Sequence, residues 1–225
     1  MDEARAAALE AYAAEAAGCT RCPLADGRTN VVFGAGSPDA DLMLVGEAPG
    51  FHEDQQGVPF VGQAGQLLDR LLDAIGLTRG DVYVANTLKC RPPGNRDPHP
   101  DEIAACEPHL FRQIELVQPR VVATLGNFAT KLLSGRPLGI TRVHGQELEV
   151  TLGTTNVMLY PLYHPAAALY TPSMLAVLEA DFSRIPELLR RPGADAERAI
   201  VPRPGLAVEE PLPAAAGAQA QLGLF

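Results

Sequence analysis

Long apolar runs are missing from this sequence, and no stretch approaches the roughly 20 apolar residues that a transmembrane helix requires. Residues 1–18 lack the basic start and the apolar core of a secretory signal peptide. Basic residues are also scarce, since 18 Lys and Arg stand against 27 Asp and Glu and give a net charge of −9. We therefore expect a soluble, cytoplasmic protein without membrane contact, and the charge argues against a general nucleic-acid coat.

The few basic residues are unevenly distributed along the chain. Two segments, 86–96 and 119–146, contain Lys and Arg but no acidic residue. A local basic face of this kind is compatible with DNA binding, and scattered solvated charge is the alternative explanation.

Cysteine is rare, with four residues, and a cytoplasmic chain of this length has little use for disulfides. Cys19 and Cys22 form a CxxC pair, whereas fifteen residues separate Cys90 from Cys106. A CxxC pair with two further cysteines indicates a metal or cluster site. Zinc is the physical alternative to an iron–sulfur cluster, although zinc sites usually contain two close ligand pairs.

Hydrophobic patterns alternate between predicted strands and predicted helices up to residue 190. Strands are predicted at 41–46, 81–86, 120–125 and 156–160. Helices are predicted at 2–17, 62–75, 101–117, 127–133 and 173–190, the last with a break near Pro186. Alternating strands and helices predict a parallel sheet covered on both faces, with ligands bound beyond the carboxyl ends of the strands.

Several short motifs lie at the predicted strand ends. Segment 46–50 follows the first strand, Asn86 ends the second, and His164 follows the fourth. An Asn amide matches the O4 and N3–H edge of uracil, and a His can donate to a carbonyl oxygen of a departing base. Phe60 lies in a glycine-rich loop, where an aromatic ring can stack on a base. Each motif alone is explained by a turn or a core position, and their coincidence predicts a base-binding site.

Together these motifs resemble those of the family 4 uracil-DNA glycosylases over about residues 15–190. The resemblance is carried by 46–50, 58–62, Asn86, 89–97 and 164–165. It implies a three-layer α/β/α sandwich around a central, mainly parallel four-stranded sheet. It also implies an enzyme of base excision repair that hydrolyses the N-glycosidic bond of deoxyuridine in DNA and releases free uracil.

The resemblance implies a role for each site residue. Phe60 is expected to stack on the flipped uracil, Asn86 to recognise its polar edge, and His164 to stabilise the departing uracil anion. Further contacts to the base are implied for the backbone of Glu47, Ala48 and Pro49. The resemblance also implies a structural [4Fe-4S] cluster that pins the N-terminal segment to the loop after the second strand. Its ligands would be Cys19, Cys22, Cys90 and Cys106.

Water activation is the point at which the chain departs from the family 1 enzymes, whose first motif carries an aspartate for this task. Ala48 occupies that position here, and Gly50 stands where those enzymes have a tyrosine that excludes thymine. Glu53 and Asn95 are the nearby candidates for holding the attacking water. Glu47 places a further carboxylate at the pocket.

Two other functions are compatible with parts of this pattern. One is that of a relative which binds uracil-DNA covalently through a histidine in an Arg-rich insertion after the second strand. Here segment 91–98 lacks that insertion, although His99 lies nearby. The other is a non-enzymatic iron–sulfur or zinc module that binds DNA. Repeated release of free uracil distinguishes the hydrolase from both.

The composition changes near residue 190, after which Pro and Ala dominate and apolar periodicity stops. We predict a catalytic domain over 1–190 and a flexible tail over 191–225. The last residues resemble the peptide with which bacterial repair and replication proteins bind the sliding clamp: Gln221, Leu222, Leu224 and Phe225. We expect uracil-containing DNA and the clamp as partners, and a monomeric protein.

Overall fold

Residues 3–191 form a mixed six-stranded sheet flanked by helices, and they are the part of the chain that this computed structural model describes. The strands are β1 (Ala35–Gly36), β2 (Leu42–Gly46), β3 (Val82–Asn86), β4 (Val121–Leu125), β5 (Leu148–Leu152) and β6 (Thr155–Leu162). The helices are α1 (Glu3–Ala17), α2 (Leu24–Gly27), α3 (Phe51–Gln56), α4 (Gln63–Ala74), α5 (Pro100–Val117), α6 (Asn127–Ser134), α7 (Ile140–Val143), α8 (Ala166–Tyr170), α9 (Ser173–Phe182) and α10 (Ile185–Arg190), with a short 3-10 turn at Pro93–Asn95.

The strand order is β1-β3-β2-β4-β6-β5. The four inner strands are mutually parallel, and both edge strands run antiparallel to their neighbours. These inner strands are the four that the sequence predicts, so the parallel centre is confirmed. The sheet has six strands rather than the predicted four. The sequence did not indicate the two edge strands, because β1 has only two residues and β5 is partly exposed and lacks a continuous apolar run.

Side chains from successive strand residues point to opposite faces of the sheet and divide the core in two. Leu42 and Leu44 of β2 pack with α4, α9 and α10, whereas Met43 and Val45 pack with α1, α5 and α6. All four side chains are at most 1% exposed. The predicted three-layer α/β/α arrangement is therefore confirmed.

Proline positions set two helix boundaries. Pro100 begins α5, where its missing N–H costs no hydrogen bond. The long helix predicted at 173–190 is interrupted, since α9 ends at Phe182 and α10 begins at Ile185 with Pro186 in its first turn. Pro186 also removes the N–H that would continue the first helix, so the predicted break is confirmed.

No helix within residues 3–191 is long and apolar enough to cross a membrane. The predicted tail beyond Arg191 and the predicted clamp-binding peptide at 221–225 lie outside the described residues. The predicted boundary between domain and tail therefore stays a prediction.

Candidate active site and cysteine cavity

A cleft of about 890 Å³ opens beyond the carboxyl ends of β2, β3 and β6. Its volume lies within the usual range of small-molecule sites. The structure brings together in its lining all eight residues that the sequence predicts for the base and the chemistry: Glu47, Ala48, Pro49, Glu53, Phe60, Asn86, Asn95 and His164.

Asn86 and Phe60 meet above a residue that has no side chain. Gly46 of β2 pairs with Asn86 of β3, and a Cβ at position 46 would overlap both the Asn86 amide oxygen and the Phe60 ring. Asn86 is 2% exposed, and none of the side-chain hydrogen bonds within residues 3–191 involves its amide group. A nearly buried amide without a partner, facing a cleft, is available to a ligand.

The Phe60 loop is held from the cleft side by Glu53 on α3. The backbone N–H groups of Val61 and Gly62 both donate to Oε1 of Glu53, at 2.9 Å each. One oxygen of this carboxylate is therefore committed to the loop, and the other remains for a water or a substrate.

His164 presents a neutral hydrogen-bond donor to the cleft. Burial lowers its pKa to about 4, so that the imidazole is uncharged near neutral pH, although the nearby Glu53 carboxylate partly opposes this shift. The Ala166 backbone N–H donates to Nδ1 at 3.1 Å, and the single ring proton must therefore lie on Nε2. The ring stacks on Phe60, with centroids 5.5 Å apart.

Asn95 is oriented by a neighbouring guanidinium. Nε of Arg91 donates to Oδ1 of Asn95 at 2.6 Å, and the Arg91 guanidinium also lies 5.2 Å from the ring centre of Phe51. This contact leaves the NH₂ group of Asn95 available to donate to a water in the cleft. Because an amide is not basic near neutral pH, Asn95 can hold a water but cannot take a proton from it.

Glu47 is the carboxyl group at the end of β2. Burial raises its pKa, and the negative charge of Asp97 raises it further. A carboxyl group with a raised pKa binds a proton more readily than an ordinary one, as acid–base catalysis near neutral pH requires. Of the predicted water-site residues Glu53 and Asn95, only Glu53 can accept a proton, and Glu47 adds a second carboxylate that can do so.

The sequence analysis missed several groups around the cleft. Arg96 lines it and forms two hydrogen bonds to Glu102 on α5, at 2.9 and 2.6 Å, which lower the pKa of that carboxyl to about 2. Leu169 and Tyr170 line the rim on α8, where Tyr170 is 88% exposed. Helix α8 has only five residues, too few to establish a helical period, so no pattern predicted it.

A second, smaller cavity brings together the four cysteines, none of which forms a disulfide with another described residue: Cys19, Cys22, Cys90 and Cys106. Burial raises the pKa of Cys106, and it raises that of Cys90 to about 11. Donors already point at these sulfurs. The Arg28 guanidinium donates to Sγ of Cys90 at 3.5 Å, and the Lys89 backbone N–H donates to Sγ of Cys106 at 3.3 Å.

Within residues 3–191, no group of three or more His, Cys, Asp or Glu side chains is arranged to hold one metal ion. A tetrahedral zinc site with 2.3 Å bonds would need its sulfurs about 3.8 Å apart. A cluster places less demand on proximity, since each cysteine binds a different iron. A set of four sulfur donors around one cavity is compatible with such a group.

Lys89 connects the cysteine cavity with the cleft. Its side chain is 2% exposed, and Nζ donates to the backbone oxygen of Asn86 at 2.8 Å and to the amide oxygen of Gln113. Burial lowers the pKa of this ammonium to about 8, and the negative charge that Cys106 and Cys90 would carry when deprotonated opposes that shift. The residue that ends β3 is thereby linked to the cysteine cavity.

The amino-acid sequence is similar to that of known proteins. Residues 33–189 match the family model of the uracil DNA glycosylase superfamily. The chain is 44% identical over 189 residues to a type-4 uracil-DNA glycosylase of Sulfurisphaera tokodaii, covering 82% of this chain and 86% of that protein. Two further type-4 uracil-DNA glycosylases are similarly close. That of Saccharolobus solfataricus is 45% identical over 80% of this chain and 86% of its own length, and that of Archaeoglobus fulgidus is 44% identical over 80% and 92%.

Proposed function

Because this chain belongs to the uracil-DNA glycosylase superfamily and acts as a uracil-DNA glycosylase, we propose that the cleft beyond β2, β3 and β6 carries out the hydrolysis. The products are free uracil and an abasic site in DNA, as base excision repair requires. One observation carries the proposal: the unpaired amide of Asn86, the ring of Phe60 and the neutral imidazole of His164 line the same cleft.

Uracil recognition is assigned to Asn86 and Phe60. The Asn86 amide supplies an acceptor for N3–H and a donor for O4, which cytosine, with an amine at position 4, does not match. The target nucleotide must leave the DNA stack to reach the cleft, and an aromatic ring compensates for part of the lost stacking. Gly46 supports this arrangement, because a larger residue would separate the two side chains.

Departure of the base is assigned to His164. When the bond from C1′ to N1 breaks, its electron pair stays on uracil while positive charge develops on the sugar. The Nε2–H of the neutral imidazole can donate to a carbonyl oxygen on which the negative charge accumulates. Such a donor is fixed before the reaction and lowers the barrier without reorganisation.

The attacking water is assigned to the polar groups on the two loops. Asn95 would hold it by donation from its NH₂ group, and Glu47 or the second oxygen of Glu53 would accept its proton. The hydroxyl then bonds to C1′, and the proton on the carboxylate passes through solvent to the uracil anion, which completes the hydrolysis. Glu53 holds the Phe60 loop, because its Oε1 accepts hydrogen bonds from Val61 and Gly62. Glu47 is the better proton acceptor, because its pKa is raised.

A [4Fe-4S] cluster is assigned to the cysteine cavity, held by Cys19, Cys22, Cys90 and Cys106. When bound, it supplies a cross-link between the N-terminal segment, the loop after β3 and helix α5, and four cysteine ligands leave no iron open to substrate. The arrangement of four thiols with donors aimed at the sulfurs supports this assignment.

Replacing His164 by Ala tests the reaction. We expect the wild-type protein to release free uracil over many turnovers from a deoxyuridine oligonucleotide, and His164→Ala to lower the single-turnover rate on the order of 10²-fold or more. His144→Ala is the matched control, since that imidazole bonds to Asp181 outside the cleft. Release of at most one uracil per wild-type molecule would instead favour the covalent binder, and no release would favour a binding module. A His164→Ala rate within about threefold of wild type would refute the role of His164.

Replacing Asn86 by Asp tests recognition. A carboxylate offers no donor to O4 and repels it, so we expect uracil excision to fall roughly tenfold or more. Asn156→Asp applies the same change at an exposed position near the start of β6 and should leave excision near the wild-type level. Gained cleavage of deoxycytidine would support the orientation of the amide, and undiminished uracil excision by Asn86→Asp would contradict it.

The cluster assignment is tested on the purified protein. We expect a brown protein with broad absorbance near about 400 nm, a general property of iron–sulfur clusters. Cys90→Ser should lose that absorbance together with bound iron. A colourless wild-type protein that contains one zinc per chain would overturn the assignment.

A docking role is proposed for the terminal peptide on sequence grounds alone. Apolar side chains at the end of a segment that cannot bury them suit a groove on a partner protein. Deleting residues 221–225 should abolish binding to the bacterial sliding clamp and leave excision from a short oligonucleotide unchanged. Clamp binding that survives the deletion, or that is absent from the full chain, would reject this role.

A further inference from the structure

Phe60 has a backbone conformation that its residue type disfavours. Its φ is 56°, in the left-handed region, where a bulky side chain is uncommon. Its side chain is nonetheless 7% exposed and packs with the core beneath the cleft. Surrounding contacts must therefore hold this conformation, since an isolated loop would relax to a negative φ.

Glu53 holds the part of the loop after Phe60, because it accepts hydrogen bonds from the two residues that follow Phe60. Arg79, in the turn that follows α4, holds Phe60 itself and the residue before it. Its Nη2 donates to the backbone oxygen of Phe60 at 2.7 Å, and its Nη1 donates to that of Pro59 at 3.3 Å. Gly65 allows the Phe60 carbonyl group to lie against the start of α4, since a Cβ at position 65 would overlap that carbonyl.

Asp69 on α4 fixes the direction of this guanidinium. Its carboxylate accepts a hydrogen bond from Nε of Arg79 and forms an ion pair with it. A planar guanidinium can bond in this way to one carboxylate and several carbonyl groups at once, which a lysine ammonium at the end of a flexible chain reproduces poorly. Arg79 is 32% exposed and is not part of the cleft lining.

We infer that Arg79, oriented by Asp69, is a positioning residue for Phe60 that sets the affinity of the cleft for the flipped base without touching it. The inference rests on the proposed function, because it takes Phe60 as the ring on which uracil stacks. The alternative is that Arg79 and Asp69 only stabilise the turn after α4 and have no effect on base binding. The two differ in how a change at position 79 combines with the loss of the Phe60 ring.

A double-mutant cycle measures that difference. Arg79→Ala and Phe60→Ala are made singly and together, and single-turnover uracil release is followed over a range of enzyme concentrations. We expect Arg79→Ala to raise the half-saturating concentration roughly fivefold or more, since stacking contributes appreciably to base binding, and to change the maximal rate less. In the Phe60→Ala background the same substitution should have no further effect.

Three more variants sharpen the test. Arg79→Lys should recover only part of the affinity, and Asp69→Asn should cause a smaller loss than Arg79→Ala because the carbonyl bonds remain. Arg70→Ala is the matched control, as an exposed arginine on α4 whose side chain makes no hydrogen bond to the described residues. If Arg79→Ala fails to fold, as judged by thermal melting, the Lys and Asn variants decide the matter by the same cycle.

Three results would overturn the inference. They are additive effects of the Arg79 and Phe60 substitutions, an unchanged half-saturating concentration, or a loss matched by Arg70→Ala. In each case the wild-type protein still releases uracil, so the proposed function stands. A wild-type protein that releases no uracil contradicts the proposed function, and the inference fails with it.

Discussion

The backbone pairing of Gly46 with Asn86, at the ends of two adjacent parallel strands, is the constraint on which the cleft depends. This register places the first motif beside the amide, and it continues into the following loops through hydrogen bonds from Thr87 to Gly46 and from Leu88 to Glu47. Because position 46 has no side chain, Asn86 and the Phe60 ring can approach each other. A slip of one residue would turn the Asn86 side chain to the opposite face of the sheet.

Charged side chains hold the loops of the cleft and thereby decide what each polar group can do. Glu53 commits one oxygen to the Phe60 loop, and Arg91 occupies the oxygen of Asn95. The Glu53 carboxylate keeps its second oxygen as an acceptor, and the Asn95 amide keeps its NH₂ group as a donor. His164 is limited in the same manner, since the Ala166 N–H fixes its proton on Nε2. The chemistry of the cleft therefore follows from the contacts behind it as well as from its residue types.

Lys89 connects the cysteine cavity to the cleft through hydrogen bonds to residues of both. The buried ammonium bonds to the carbonyl oxygen of Asn86 while its own backbone N–H donates to Cys106. Burying a charge is costly unless partners compensate for it, and Gln113 provides a second one. Lys89 is thus bonded to Asn86 through its side chain and to Cys106 through its backbone. A change in the position of Cys106 is therefore transmitted through Lys89 to Asn86.

The sequence by itself determined the four inner strands and the main helices, because burial periodicity is local. It also indicated eight residues of the cleft lining, through motifs at strand ends that a parallel sheet brings together and through the family resemblance. It did not determine β1, β5 or α8, whose segments are short or partly exposed. Nor did it indicate Arg79, which is separated from Phe60 by nineteen positions and lies outside every motif. Only the tertiary structure decided which oxygen of Glu53 is committed and which nitrogen of His164 carries the proton. Those outcomes depend on hydrogen bonds through space, whose partners no pattern along the chain specifies.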